Sequence, residues 1–149
     1  MARWKKFAIG CGTLIFVTVG VFFGGILYFV GSLPDPCSNV EVSESVSPNK
    51  QMKAVVFERD CGATTDFSTQ VAILQRDEAL GKYGGNAFIA DTNRGAAPSG
   101  PGGGPEVSLR WISDNNLQIL YHPAARIYSS SKKVEGVNVE FGRLGQPSR

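Results

Sequence analysis

Several groupings of side chains in this chain have the residue types that catalysis uses, and each can be tested against what its chemistry needs. Ser129-Ser130-Ser131-Lys132-Lys133 contains S-x-x-K twice, and Ser113-Asp114-Asn115 is an S-D-N. Serine acyl transfer of the penicillin-recognising type needs its serine at the start of a buried helix, then S-D-N, then a K-T-G strand. Here the order is reversed, K-T-G is missing, and both motifs fall in or beside turns, so both read as turn chemistry. Cys61 and His122 could form a thiolate–imidazole pair, the basis of a thiol-dependent enzyme, but only if the thiol is free. His122 is the chain's one histidine and stands before Pro123, a place where a structural role is the usual one.

Metal and phosphate chemistry fare no better. One histidine with two cysteines beyond residue 33 is a poor zinc set. Asp91-Thr92-Asn93-Arg94-Gly95 opens like a calcium loop, but Ala96 and Gly102 stand where that loop needs glycine and a bidentate glutamate. Gly100 to Gly104 lacks the Lys-Ser/Thr of a phosphate loop. No catalytic residue, metal or cofactor is expected.

Cys37 and Cys61 are the two cysteines outside the apolar leader, and an even pair in an oxidising compartment favours a disulfide between them. The bridge would tie the entry of the domain to its first strand turn. Beside it, Thr64, Thr65 and Asp66 crowd small polar side chains into that turn. They either bond the turn backbone or present hydroxyls to a glycan or peptide, which makes them the candidate binding surface.

The net charge of +2 hides a segregation. Arg3, Lys5 and Lys6 precede Asp35 with no acid among them, and from Asp35 onward 12 Lys and Arg face 13 Asp and Glu. The basic balance therefore belongs to the leader, and the domain lacks the basic stripe that nucleic acid requires. From Phe7 to Leu33 the chain runs 27 residues without a charged side chain. At about 1.5 Å per residue a helix of that length exceeds a hydrocarbon core of roughly 30 Å. The basic flank before it and Asp35 after it keep the N-terminus cytoplasmic and export the rest. A cleaved signal has an apolar core of only about 7–15 residues, so a retained anchor is the preferred reading. Cys11 lies inside that run, too near its start for a lipidation signal. Gly20 and Gly24 match G-x-x-x-G and offer helix-mediated homodimerisation as a secondary reading.

Beyond a Pro-containing hinge at 33–37 the periodicity is two. Strands are predicted over 52–59, 67–75, 86–91, 106–112, 117–122, 125–130 and 136–142, the last two as a pair. A turn at 113–116 joins 106–112 to its hairpin partner. Ser47-Pro48-Asn49-Lys50 is a further turn, of the kind that opens a propeller blade, here marking a single hairpin. Residues 76–85 and 95–105 are predicted as loops, the second a flexible glycine-proline stretch on the surface.

The segments SPNKQMKAVVFERDCGATTDFSTQVAIL, NAFIADTNRGAAP and VSLRWISDNNLQILYHPAARIY resemble a family of small bacterial proteins, membrane-anchored or exported, whose domain has no assigned function. CGATT followed by FSTQV is the most specific part. The resemblance implies a bacterial origin and carries no catalytic residues.

The expected fold class is mainly β: cytoplasmic residues 1–6, a transmembrane helix over 7–32, and an exported domain over 33–149 of six to eight antiparallel strands in a curled sheet or small sandwich. The expected role is that of a non-enzymatic, single-pass protein of the bacterial plasma membrane. Its domain would bind another envelope component, a protein or a glycan, outside the cytoplasm.

Overall fold

The computed structural model describes residues 18–29, 37–62 and 67–145, and the chain divides into two compact units, Met1–Asp35 and Pro36–Arg149. In the first unit a helix, α1, occupies residues 18–29. Its apolar side chains point outward on all sides, with Val21, Phe22, Phe23, Leu27, Tyr28 and Phe29 all more than half exposed. No helix among the described residues is long and apolar enough to cross a membrane. Twelve residues rise only about 18 Å, and the rest of the expected 7–32 span lies outside the described residues.

The second unit is a two-sheet β sandwich. Its strands are β1 (Ser38–Val46), β2 (Met52–Asp60), β3 (Ser68–Gln75), β4 (Phe88–Asp91), β5 (Val107–Ser113), β6 (Asn116–Tyr121), β7 (Arg126–Ser130), β8 (Lys133–Val134) and β9 (Val137–Arg143). One sheet has the order β1-β2-β3-β4-β7 and the other β5-β6-β9-β8. Period-two alternation builds the core. Met52, Ala54 and Val56 of β2 stand beside Ile73 and Val71 of β3, then Phe88 and Ala90 of β4. From the facing sheet come Leu117 and Ile119 of β6 with Val137 and Val139 of β9, flanked by Val107, Leu109 and Trp111 of β5. Phe88 joins the layers, its ring 5.3 Å from Tyr121 and 5.8 Å from Phe141 between centroids.

The sandwich departs from the sequence expectation in four places. β1 and the two-residue β8 are strands that periodicity did not place; β1 is largely exposed and carries only three apolar residues, Val40, Val42 and Val46. The register shift between Glu41 and Ser43 is a bulge, so Val40 and Val46, in phase in the sequence, pair with Glu58 and Lys53 on opposite faces of the sheet. Segments 125–130 and 136–142 do not pair; β7 adds to β4, and β9 runs parallel to β6, with Leu117 opposite Val139 and Ile119 opposite Phe141. The sheets are thus not wholly antiparallel. The reason lies at Ser131 and Lys132, where the chain crosses between the layers. The Ser131 amide donates to Ala87 of one sheet, and Lys132 accepts from Val139 of the other.

The two loops are also more structural than expected. Asn39 donates to the carbonyls of Gly81 and Tyr83, Arg59 to that of Lys82, and the Gly85 amide donates to Gln70 Oε1 at 2.7 Å. Loop 76–85 is thereby held over the outer face of the five-stranded sheet, where Val55 and Phe57 are fully buried. The glycine-proline loop packs inward too. Ala97, Gly104 and Pro105 are buried, and a Cβ on Gly104 would lie 2.5 Å from Thr69 Oγ1 and 2.6 Å from its amide nitrogen. Glycine is there because the backbone approaches the sheet too closely for any side chain. The Ser47–Lys50 turn closes the β1–β2 hairpin as expected, with Ser47 Oγ accepting the Met52 amide at 3.0 Å.

Candidate functional site

The end of the sandwich that carries Cys37 and Cys61 gathers most of the polar and irregular structure. The two cysteines are joined in a disulfide across the open end of the β1–β2 hairpin, beside the Ser38–Asp60 pair. The strand register then lays one row of side chains across all five strands of the first sheet: Asn39, Arg59, Ser68, Asp91 and Arg126. Arg59 donates to Asn39 Oδ1 at 2.7 Å, and Ser68 Oγ donates to the Arg59 carbonyl at 3.2 Å while accepting from Gln70. The row thus holds two bonded groups, Asn39–Arg59 with Ser68 on the Arg59 carbonyl at one side and Asp91–Arg126 at the other.

At its β7 end Asp91 is 3% exposed. It takes a salt bridge from Arg126, a hydrogen bond of 2.7 Å from the Tyr128 hydroxyl and one of 2.8 Å from the Asn93 amide. The Arg126 guanidinium also lies 5.1 Å from the Tyr128 ring centroid. Burial alone would push the carboxyl upward, but the bonds from Arg126, Tyr128 and Asn93 outweigh it and hold Asp91 below the ordinary 3.8. A carboxylate so saturated is a structural anion rather than a general base. Because its folded value is depressed, its stabilising contribution is complete above the ordinary carboxylate value and is lost as pH falls through the folded one. Asp91→Asn should therefore cost about 2–3 kcal/mol at neutral pH, from lost charge-assisted bonds. In thermal melts the gap from the parent protein should close well below pH 3.8; a gap that persists there would assign the loss to packing instead.

On the inner side of the same end lies a groove of about 220 Å³. Val42 and Ser43 of β1 form one wall, Glu106 and Val107 at the start of β5 the other, and Val56 and Thr69 the floor. Gly100 to Pro105 roofs it. The seam between β1 and β5 is closed further along, where Trp111 Nε1 donates to the Ser45 carbonyl at 3.1 Å. Glu58 borders the groove, its Oε2 against Gly102 and Gly103. Burial, with the nearby Asp60 charge added, raises the Glu58 carboxyl above its ordinary value. A larger concavity of about 690 Å³ at the opposite end is open to solvent and lined by charges of both signs, Lys50 and Arg76 with Asp77 and Glu135.

The residues singled out in the sequence are dispersed. Cys61 lies in the bridge, so its thiol is not available to His122, whose Nδ1 accepts the Ala124 amide at 3.2 Å. Ser113 accepts from Asn116 at 2.9 Å across a two-residue hairpin turn, while Ser129 pairs with Ile89 in a different sheet. Ser129 and Ser130 therefore lie in the other sheet from S-D-N, and only Lys133 of the S-x-x-K segment, at the start of β8, shares its sheet. Among the described residues no group of three His, Cys, Asp or Glu could hold a metal ion. Thr64, Thr65 and Asp66 lie outside the described residues. The Asp91–Arg126–Tyr128 cluster and the groove were not foreseen, since each is assembled by strand pairing across more than thirty positions of sequence. A scan against protein-family models, a search of curated proteins and a search of solved structures returned no match.

Proposed function

We propose that this chain is a membrane-tethered, non-enzymatic binding protein of the bacterial cell envelope, with a β sandwich held outside the cytoplasm. Residues 7–32 are the anchor and residues 1–6 stay in the cytoplasm. The bridge end of the sandwich is the binding surface, for an envelope protein or a glycan, and Thr64, Thr65 and Asp66 belong to it. The observation that carries this reading is the Cys37–Cys61 disulfide directly after an apolar leader. Structural disulfides persist in oxidising compartments and are rare in a reducing cytoplasm. The outward-facing apolar side chains of α1 fit a lipid environment. The resemblance to anchored or exported bacterial proteins supports the same assignment. A thiol-dependent enzyme, the competing reading, loses its nucleophile to the bridge.

The test is thiol labelling of intact cells with a membrane-impermeant maleimide, with and without prior reduction. Labelling of Cys37 and Cys61 only after reduction is the expected result. Labelling of Cys61 without reduction would revive the thiol enzyme. Reaction confined to lysed cells would overturn the topology and the function with it.

A further inference from the structure

The groove at the bridge end has features that select a ligand. Its walls are aliphatic at three points, Val42, Val56 and Val107, and the one charged lining residue among those described is the acid Glu106. Glu58 adds a second carboxylate at the border, where Gly102 packs between it and Val42. Among the described residues no lysine, arginine or histidine lines the cavity. β1 beside it is an edge strand, with Val40 58% exposed, so a partner's chain can approach along that side.

We infer that this groove receives the side chain of a lysine presented by an exported partner polypeptide. The aliphatic stem lies against Val42, Val56 and Val107, and the ammonium sits at the rim bordered by Glu58 and Glu106. The chemistry follows from the amphipathic nature of lysine, a flexible four-carbon stem ending in a compact charge. The two carboxylates come from different parts of the chain, Glu58 from β2 and Glu106 from the residue before β5. An ammonium can be shared between two such groups, whereas a planar guanidinium prefers a single carboxylate in its own plane. Burial first and the Asp60 charge second raise the Glu58 carboxyl, and a cation brought to it would favour its ionised form. The lysine site deepens the proposed binding role and rests on it only for where the partner is found.

The experiment is a nitrogen-15 NMR titration of the full chain in phosphatidylcholine nanodiscs with the capped tripeptide acetyl-Ala-Lys-Ala-amide. Amide shifts should concentrate at Val42, Ser43, Val56, Gly102, Gly104 and Val107. The same peptide with norleucine or acetyl-lysine in place of lysine should bind roughly tenfold more weakly, as should Glu58→Gln with the parent peptide. Glu106→Gln, a change on an exposed side chain, should weaken binding in the same direction. Equal binding of the norleucine peptide, shifts centred elsewhere, or no shifts at saturating peptide would each overturn the lysine site. A positive titration with failed cell-surface labelling would leave the site standing and remove the exported partner. The converse pair of results would leave the tether standing and remove the site.

Discussion

Phe88→Ala is expected to destabilise the sandwich by about 3–5 kcal/mol, the usual cost of deleting a fully buried aromatic ring. Phe88 is completely inaccessible and is the residue through which β4 meets the other sheet, at Tyr121 of β6 and Phe141 of β9. Those partners sit on strands with no backbone hydrogen bonds to β4, so nothing in the ladder compensates for the lost ring. Neighbours on β4 cannot fill the space. Ala87 and Ala90 are small, and Gly85 already packs against the Phe88 carbonyl and Val71. A small domain has about 5–15 kcal/mol in total, so this one change removes a large part of it. Urea denaturation of the full chain measures the loss. Phe88→Leu, which keeps most of the volume, should cost much less; equal losses for the two would mean that β4 is held by its ladder and not by the ring.

The same residue shows what could be read from the sequence. The strand around Phe88 is legible because Phe88 and Ala90 alternate with Ile89 and Asp91, and the same rule finds β2, β3, β5, β6 and β9. Alternation fixes which side chains face inward but not which strand lies alongside. The parallel pairing of β9 with β6 was therefore hidden, as was the crossing of β7 into β8 between the layers. β1 was hidden for a more local reason, since its three valines stand among serines and glutamates on a largely exposed strand. The glycine-proline loop was misjudged because absence of side chains suggests absence of packing. At Gly104 the opposite holds, as the missing Cβ lets the loop backbone lie against Thr69. The candidate site suffers from both problems. Its groove needs the β1 bulge, the glycine loop and a residue from β5 together, and no local pattern joins those three. The disulfide alone was legible, because the two cysteines outside the leader had only each other.

Replacing both bridge cysteines with serine is the other change with a large expected effect. The bridge closes a loop with a sequence separation of 24, and the chain-entropy model assigns such a loop about 3.5 kcal/mol through restriction of the unfolded state. The bridge lies where β1 and β2 are paired, next to Ser38 opposite Asp60. Its position matters as much as its size. β1 is an edge strand, and the chain enters it from the leader, so under the proposed tether any pull on the domain would arrive first at Cys37. Without the bridge that load would peel β1 from β2 one hydrogen bond at a time. With it, the load passes to Cys61 at the end of β2, a strand paired on both sides. The Cys37→Ser/Cys61→Ser protein should thus show two separable effects. Global stability should fall by about 3–4 kcal/mol in urea denaturation, and amide exchange should accelerate first at residues 38–41 by local fraying of β1. Stability loss with uniform exchange along β1 would keep the entropic role and reject the mechanical one. A loss below about 1 kcal/mol would mean that the unfolded chain already holds Cys37 near Cys61, and that the hairpin rather than the bridge defines this end of the domain.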